Sequence, residues 1–384
     1  MPWKETTPVD QRMHFVAALS TCRWTMSELC RLYGISRKTG YKWATRYGQQ
    51  GLDGLKDRSR RPMSCPHRTD ERCEAELVQE RRKHPTWGAR KLLARLRRRH
   101  PDWPWPAAST ATAALKRHGL VTPRKLPHRR PAPGKPTVEA AQPNDVWTAD
   151  FKGEFRTGDR QMCYPLTLAD HLSRYLLSCR GRRSTAHAPA IPVFEEAFRT
   201  YGLPRSILTD GGSPFSSPRS PRRLSRLSVW WIKLGIEPLV IEPGHPEQNG
   251  RHERMHRTLK AETARPPAAS LVAQQAAFDG FRREYNHERP HEALGQIAPA
   301  ELYARSPRPY PGRVPQVSYP GHFEVRRVKA NGVIRFQGQV HFVSSALGRE
   351  WVGLEEVDDG LWSVQFGSVL LGRYDERDAS FEAL

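Results

Sequence analysis

The sequence predicts a multidomain chain with an all-α basic front, a central α/β body built on a mixed sheet, and a small all-β tail. Three observations predict it. Near the start, Thr25-Met-Ser-Glu28 forms a capping box, and Ser36 caps a further helix across a glycine turn. From about residue 144, three apolar strand-like runs are followed by alternating helix and strand patterns. Beyond residue 320, six short apolar runs are separated by turns such as Ala330-Asn-Gly332 and Asp358-Asp-Gly360.

The 384 residues suffice for several cores. The net charge of +22 is uneven. Residues 1–143 hold 30 Lys and Arg against 12 Asp and Glu, a net of +18, and the remainder holds 32 against 28, a net of +4. A basic front on a near-neutral body points to a front that holds a polyanion. The six cysteines form no Cys-x-x-Cys pair and imply buried, reduced thiols. With no signal peptide and no apolar run of transmembrane length, a soluble intracellular protein with no membrane partner is expected.

In chain order, residues 8–20 read as an amphipathic helix opened by a proline. The capping box opens a second helix ending at Tyr33, Gly34-Ile35 turns the chain, and a third helix runs from Arg37 to Tyr47. This is a helix-turn-helix pattern. Leu29, Leu32, Ile35 and Trp43 are its expected core, and Arg37, Lys38, Thr39, Lys42 and Arg46 face the DNA groove and phosphates. With the basic Gly51–Pro62 linker it makes a domain over 1–62. Helical runs around Glu71–Lys83, Ala89–Arg99 and Ser109–His118 predict a second, winged DNA-binding unit over 63–121. Six prolines make 122–143 a semi-rigid linker.

The body, 144–304, has strand signals at Val146–Phe151, Tyr164–Ala169, Tyr175–Cys179, Ser206–Thr209 and Pro238–Ile241, with helices between and after them. A Pro-rich linker over 305–320 leads to a tail domain, 321–384, whose alternating runs predict a small SH3-like β-barrel.

The chemistry centres on Ile241–Lys260, where an apolar strand end breaks at Pro243-Gly244 and a helix follows. Asn249, Glu253, Arg257 and Lys260 share one face of that helix, a carboxylate followed by basic groups. Asp150 and Asp210 each end a predicted strand. Hard carboxylate oxygens from separated segments are what Mg²⁺ takes, and two such ions support in-line phosphoryl displacement. His245, His252 and His256 read as helix-surface or DNA-facing residues. Asp170 and Glu292 read as a cap or salt-bridge partners.

Four stretches, Trp147-Thr-Ala-Asp150, Leu208-Thr-Asp-Gly-Gly-Ser-Pro-Phe215, Gly244-His-Pro-Glu-Gln-Asn-Gly-Arg-His-Glu253 and Tyr285-Asn-His-Glu-Arg-Pro-His291, together resemble bacterial insertion-sequence transposases with a retroviral-integrase-type DDE core. The resemblance covers nearly the whole chain. It implies an RNase-H-like fold for about 144–265, extended by a helix to about 304. It implies that Asp150 bridges two Mg²⁺ ions, with Mn²⁺ a plausible substitute, while Asp210 and Glu253 each complete one. It implies that Lys260 lies along transposon-end DNA, that Asn249 and Arg257 on the same face join it, and that the protein works as a homo-oligomer on double-stranded end and target DNA in a bacterial cytoplasm, associated with the nucleoid when bound. The chain departs from the family in having Gly211 where Asn usually follows the second Asp. A silenced transposase kept as a sequence-specific DNA-binding repressor is the alternative, and an RNase H-type nuclease on RNA–DNA hybrids fits the DNA-reading front poorly.

Overall fold

Thr7, Thr25 and Ser36 start the first three helices, each accepting a hydrogen bond from the backbone N–H three residues on. These are α1 (Pro8–Ser20), α2 (Met26–Leu32) and α3 (Arg37–Gln50). The computed structural model describes residues 6–59, 68–122, 138–151, 153–217, 220–242 and 245–383. By its contacts the chain divides into two units, Met1–Arg68 and Thr69–Leu384.

In the first unit, Phe15, Val16, Leu29, Cys30, Trp43 and Leu55 form the core. Ile35 packs at its edge. Leu32, expected inside, is 68% exposed. The seven-residue α2 turns Leu29 and Cys30 inward, which leaves Leu32 on its outer side. Part of the Gly51–Pro62 stretch is a 3₁₀ turn, Gly51–Leu55, which inserts Leu55, and residues 60–67 lie outside the described ones.

Helices α2 and α3 cross at Gly40. A Cβ there would stand 2.6 Å from Cys30 Sγ and 2.8 Å from Met26 Sδ. Gly40→Ala is therefore expected to destabilise this unit by about 1–3 kcal/mol through overpacking. Gly48→Ala on the same helix meets nothing within 4 Å and should be neutral or slightly stabilising. Hydrogen-exchange protection across α2 and α3 of the intact chain checks both; equal protection in the two variants would count against the tight crossing.

The second unit begins with α4 (Glu71–Lys83), α5 (Ala89–Arg99) and α6 (Ala108–Arg117), closed around Leu77, Trp87, Leu92, Leu96 and Leu115. The described residues of this helical part, 69–122, contain no strand, so the expected wing is not there. The linker expected over 122–143 falls largely on residues 123–137, outside the described ones.

The body's sheet runs β4 (Leu176–Arg182), β3 (Met162–Asp170), β1 (Val146–Phe151), β5 (Ser206–Thr209), β6 (Glu237–Val240), with the short β2 (Phe155–Arg156) at one end of β3. The first three are antiparallel, and β1–β5–β6 are parallel. Alternation along β1 fixes its two faces. Trp147 and Ala149 enter a core with Phe194 and Phe198 of α7 (His187–Tyr201) and Trp231 of α8 (Arg226–Lys233). On the other side lie α9 (Gly250–Thr263) and α10 (Leu271–His287), whose Met255, Leu259, Phe278 and Phe281 pack with Cys163, Leu176 and Cys179. Burial pushes the Cys163 thiol up to about 11, as an inert core thiol requires. Asp170 ends β3 as a buried cap, accepting from Asn144 N–H at 2.7 Å and from Ser173 Oγ at 2.6 Å.

After α11 (Pro299–Leu302), the Pro-rich 305–320 segment lies along the body: Tyr310 and Val314 pack on its core, and the Arg308 guanidinium donates to the carbonyls of Pro204, Leu234 and Gly235. The tail strands are β7 (Glu324–Arg327), β8 (Val333–Phe336), β9 (Gln339–Phe342), β10 (Trp351–Asp358), β11 (Leu361–Phe366), β12 (Val369–Asp375) and β13 (Ser380–Ala383). They form an open five-stranded antiparallel sheet, β13-β12-β11-β10-β7, and a separate β8–β9 hairpin, rather than the expected closed barrel. Leu224, Val229 and Ile232, from α8 and the loop before it, enter the tail's core, so α8 is packed on both sides. The Ser/Pro/Arg-rich stretch ahead of α8 also serves this contact: Ser220 Oγ meets Ser344 Oγ at 2.6 Å. Among the described residues no helix is long and apolar enough to cross a membrane.

Candidate active site

Strands β1 and β5 are parallel and in register up to Ala149 opposite Thr209. The next residue on each is an aspartate, Asp150 and Asp210. Equal register on neighbouring parallel strands puts both on the same sheet face, roughly 5 Å apart in backbone. Thr148 and Asp150 project towards α9, opposite the Trp147–Ala149 face.

Two histidines pin α9 to that face. His252 Nδ1 lies 2.7 Å from Thr148 Oγ1, and its Nε2 lies 2.7 Å from Thr167 Oγ1. His256 Nε2 lies 2.6 Å from the same Thr167 hydroxyl, and its Nδ1 stands 3.4 Å from Asp150 Oδ2. Both histidines are buried, at 2% and 1% exposure. This corrects their reading as surface or DNA-facing groups. The available signal was their i, i+4 spacing on the face that carries Met255 and Leu259.

Glu253 follows His252 in the first turn of α9 and is exposed, as are Arg257 and Lys260. Asn249, expected on that outward face, is 4% exposed at the helix N-cap, and its Oδ1 has no hydrogen-bond partner among the described residues. The exposed stripe therefore begins at Glu253. Asp210 is half-buried, and its Oδ1 accepts from Gly212 N–H at 3.3 Å. A Cβ on Gly211 would meet Arg223 Nη1 at 3.1 Å, so a side chain at this position must displace that arginine's end.

In the first unit, Arg37, Lys38 and Lys42 are exposed along α3. Thr39 is half-buried, its hydroxyl 3.0 Å from Ser36 Oγ. Lys42 and Arg46 lie over the Trp43 ring, 4.6 and 5.1 Å from its centre.

Several basic groups of α5 pair with carboxylates of the body, although Arg90 and Arg98 stay exposed. Arg90 pairs with Glu292 at 2.6 Å, Arg95 with Glu288 at 2.7 Å and Arg98 with Glu301 at 2.7 Å. Lys91 donates to the Pro290 carbonyl, and burial lowers its pKa to about 8. Arg99 turns back to Glu76 and Glu80. Glu292, expected as a cap or salt-bridge partner, makes the salt bridge to Arg90. The Arg289-Pro-His291 turn packs on the body, with Arg289 on Glu262 at 2.7 Å.

Family comparisons agree with this layout. Descriptions named "Integrase core domain" match residues 140–246 and 234–299. A "Helix-turn-helix domain" matches 11–63, and a "Homeodomain-like domain" matches 39–115. The chain is 27% identical over 256 residues to an uncharacterized 39.2 kDa protein of insertion element IS476 from Xanthomonas euvesicatoria, covering 66% of this chain and 70% of that one. It is 28% identical over 231 residues to the InsD transposase of insertion element IS2 from Escherichia coli, covering 56% and 73%. Among solved structures, the catalytic core domain of HTLV-2 integrase in complex with magnesium aligns at 15% identity over 43% of this chain and 100% of that one, with a TM-score of 0.35. The chain thus carries matches to an integrase core behind helix-turn-helix domains, and over more than half its length it is similar to proteins of bacterial insertion elements, a transposase among them.

Proposed function

We propose that the chain binds double-stranded transposon-end DNA, hydrolyses a phosphodiester at that end, and joins the freed 3′-OH to target DNA by transesterification. The observation that carries this reading is the equal register of Asp150 and Asp210 on β1 and β5, with the helix of Glu253 pinned over the same face. Their hard oxygens fit Mg²⁺, with Mn²⁺ as a substitute, and two ions would be held by Asp150, Asp210 and Glu253. When bound, such ions activate the attacking oxygen and stabilise the leaving one.

The chain's own groups supply the rest. Arg257 and Lys260 stand exposed on the helix of Glu253 and hold the phosphates of the end duplex beside the carboxylates. Arg37, Lys38 and Lys42, with Thr39 and Arg46 behind them, bind the terminal repeat from the front unit. Two chemical events on paired ends call for a homo-oligomer on DNA. The division into 1–62, 63–121, 144–304 and 321–384 is the proposed domain plan, and the bacterial cytoplasm is the proposed place of action.

The test is a labelled end duplex incubated with protein and Mg²⁺. The parent should release a 3′-OH strand and join it to a target. Asp150→Asn should bind the duplex as the parent does and cleave none. Cleavage at the parental rate would remove Asp150 from the site.

A further inference from the structure

We propose that His256 is a metal ligand, binding through Nδ1 the same divalent ion as Asp150, so that this site prefers Mn²⁺ to Mg²⁺. The inference rests on reading Asp150 as an ion-binding carboxylate.

Four observations carry it. The first is distance. His256 Nδ1 and Asp150 Oδ2 are 3.4 Å apart. A charge-assisted hydrogen bond between such groups closes to about 2.7–2.9 Å. Two ligand atoms about 2.1 Å from one ion stand roughly 3.0 Å apart at a right angle and roughly 3.4 Å apart at a tetrahedral one. The observed spacing lies within reach of a shared ion.

The second is the far side of the ring. A metal-bound imidazole is oriented by a hydrogen bond from its other nitrogen. His256 Nε2 has that bond, to Thr167 Oγ1 at 2.6 Å. Thr167 in turn donates to the Asp150 carbonyl at 3.0 Å. A hydroxyl has one proton, so a Thr167 that donates to this carbonyl accepts from both imidazoles. That assignment protonates a neutral His256 on Nε2 and turns the Nδ1 lone pair towards Asp150 Oδ2.

The third is the neighbouring ring. Ligand atoms of Asp150, His252 and His256 all lie within 4.8 Å of one another. Each nitrogen of His252 meets a threonine hydroxyl, Thr148 or Thr167, so His252 buttresses the pair. The fourth is donor chemistry. Imidazole nitrogen binds first-row transition-metal ions, Mn²⁺ the weakest of them, better than it binds Mg²⁺, which takes oxygen ligands. One nitrogen added to the carboxylate set shifts the preference in that direction.

Pulsed EPR of the full chain loaded with Mn²⁺ alone tests the idea without any turnover. The parent should show ¹⁴N coupling from a directly bound imidazole. His252→Gln should keep the coupling, and His256→Gln should lose it. Loss of an outer partner already weakens a metal site about 10–100-fold, so His256→Gln should raise the Mn²⁺ dissociation constant at least about tenfold. His256→Asp should narrow the gap between Mn²⁺ and Mg²⁺ affinity. The key spectrum comes from the parent, so a poorly folding variant does not blunt the test. If the parent binds Mn²⁺ in an Asp150-dependent way with no nitrogen coupling, His256 is not a ligand and the carboxylate site stands. Coupling that survives His256→Gln and vanishes in His252→Gln also overturns the assignment. If no Mn²⁺ binding depends on Asp150, this inference and the carboxylate reading fall together.

Discussion

Asp210→Asn is expected to abolish strand cleavage and joining while leaving end binding and thermal stability near those of the parent. Asparagine keeps the side chain's size and its capacity to accept from Gly212 N–H, so the β5 end and its loop stay in place. It removes the negative charge that stands in register with Asp150 across the β1–β5 pair. A neutral amide is a poor ligand for a hard divalent ion. A loss of roughly a thousandfold or more, about 4 kcal/mol of transition-state stabilisation, is the expected size. Single-turnover cleavage of a pre-nicked end and of an intact end measures it. A variant that joins pre-nicked ends as fast as the parent would show that Asp210 does not serve the joining step.

The second large effect is acid sensitivity well above the carboxylate range. His171 is buried directly after β3, and neither ring nitrogen has a hydrogen-bond partner among the described residues. Burial, then Arg251 and Arg174, lowers its pKa to about 4. His291 stands edge-on to Tyr285 at 4.7 Å, and burial, then Lys91, Arg289 and Arg174, lowers its pKa to about 3. Both folded values lie below the unfolded value of about 6.5. Between them the unfolded chain binds more protons, so stability falls as pH drops through 6.5 and continues to fall until the folded values are reached. From pH 7 to pH 5 each histidine costs about 2 kcal/mol, about 4 together, while most carboxylates stay ionised in both states. Urea midpoints at the two pH values measure the loss. His291→Phe should remove about half of it, and an unchanged slope in that variant would exclude His291 as a source.

Much of this was legible in the sequence for local reasons. Thr25 and Glu28 form their capping box from side chains three residues apart, and α2 begins after it. Val146–Phe151 reads as a strand with Asp150 next to its last residue, and it pairs as one. The position of Asp210 at the end of Ser206–Thr209 is equally local. What was not legible depends on partners distant in sequence. The spacing of His252 and His256 gives a face, but that the face meets Thr148 and Thr167 follows only from the sheet order. Alternating runs in the tail give strands but not closure, and the sheet stays open where its side covers α8. Leu32 has the composition of a core residue, yet a seven-residue helix has room for one buried side only.

The mating of α5 with the body bears on how the protein should respond to ionic strength. Each phosphate contact made by a cation releases bound counterions and steepens the fall of affinity with salt. Arg90, Arg95 and Arg98 already face glutamates, so they release few counterions when DNA arrives. A salt titration of end binding should therefore be shallower than a tally of front-half arginines implies, with the slope set by α3 and the outer stripe of α9.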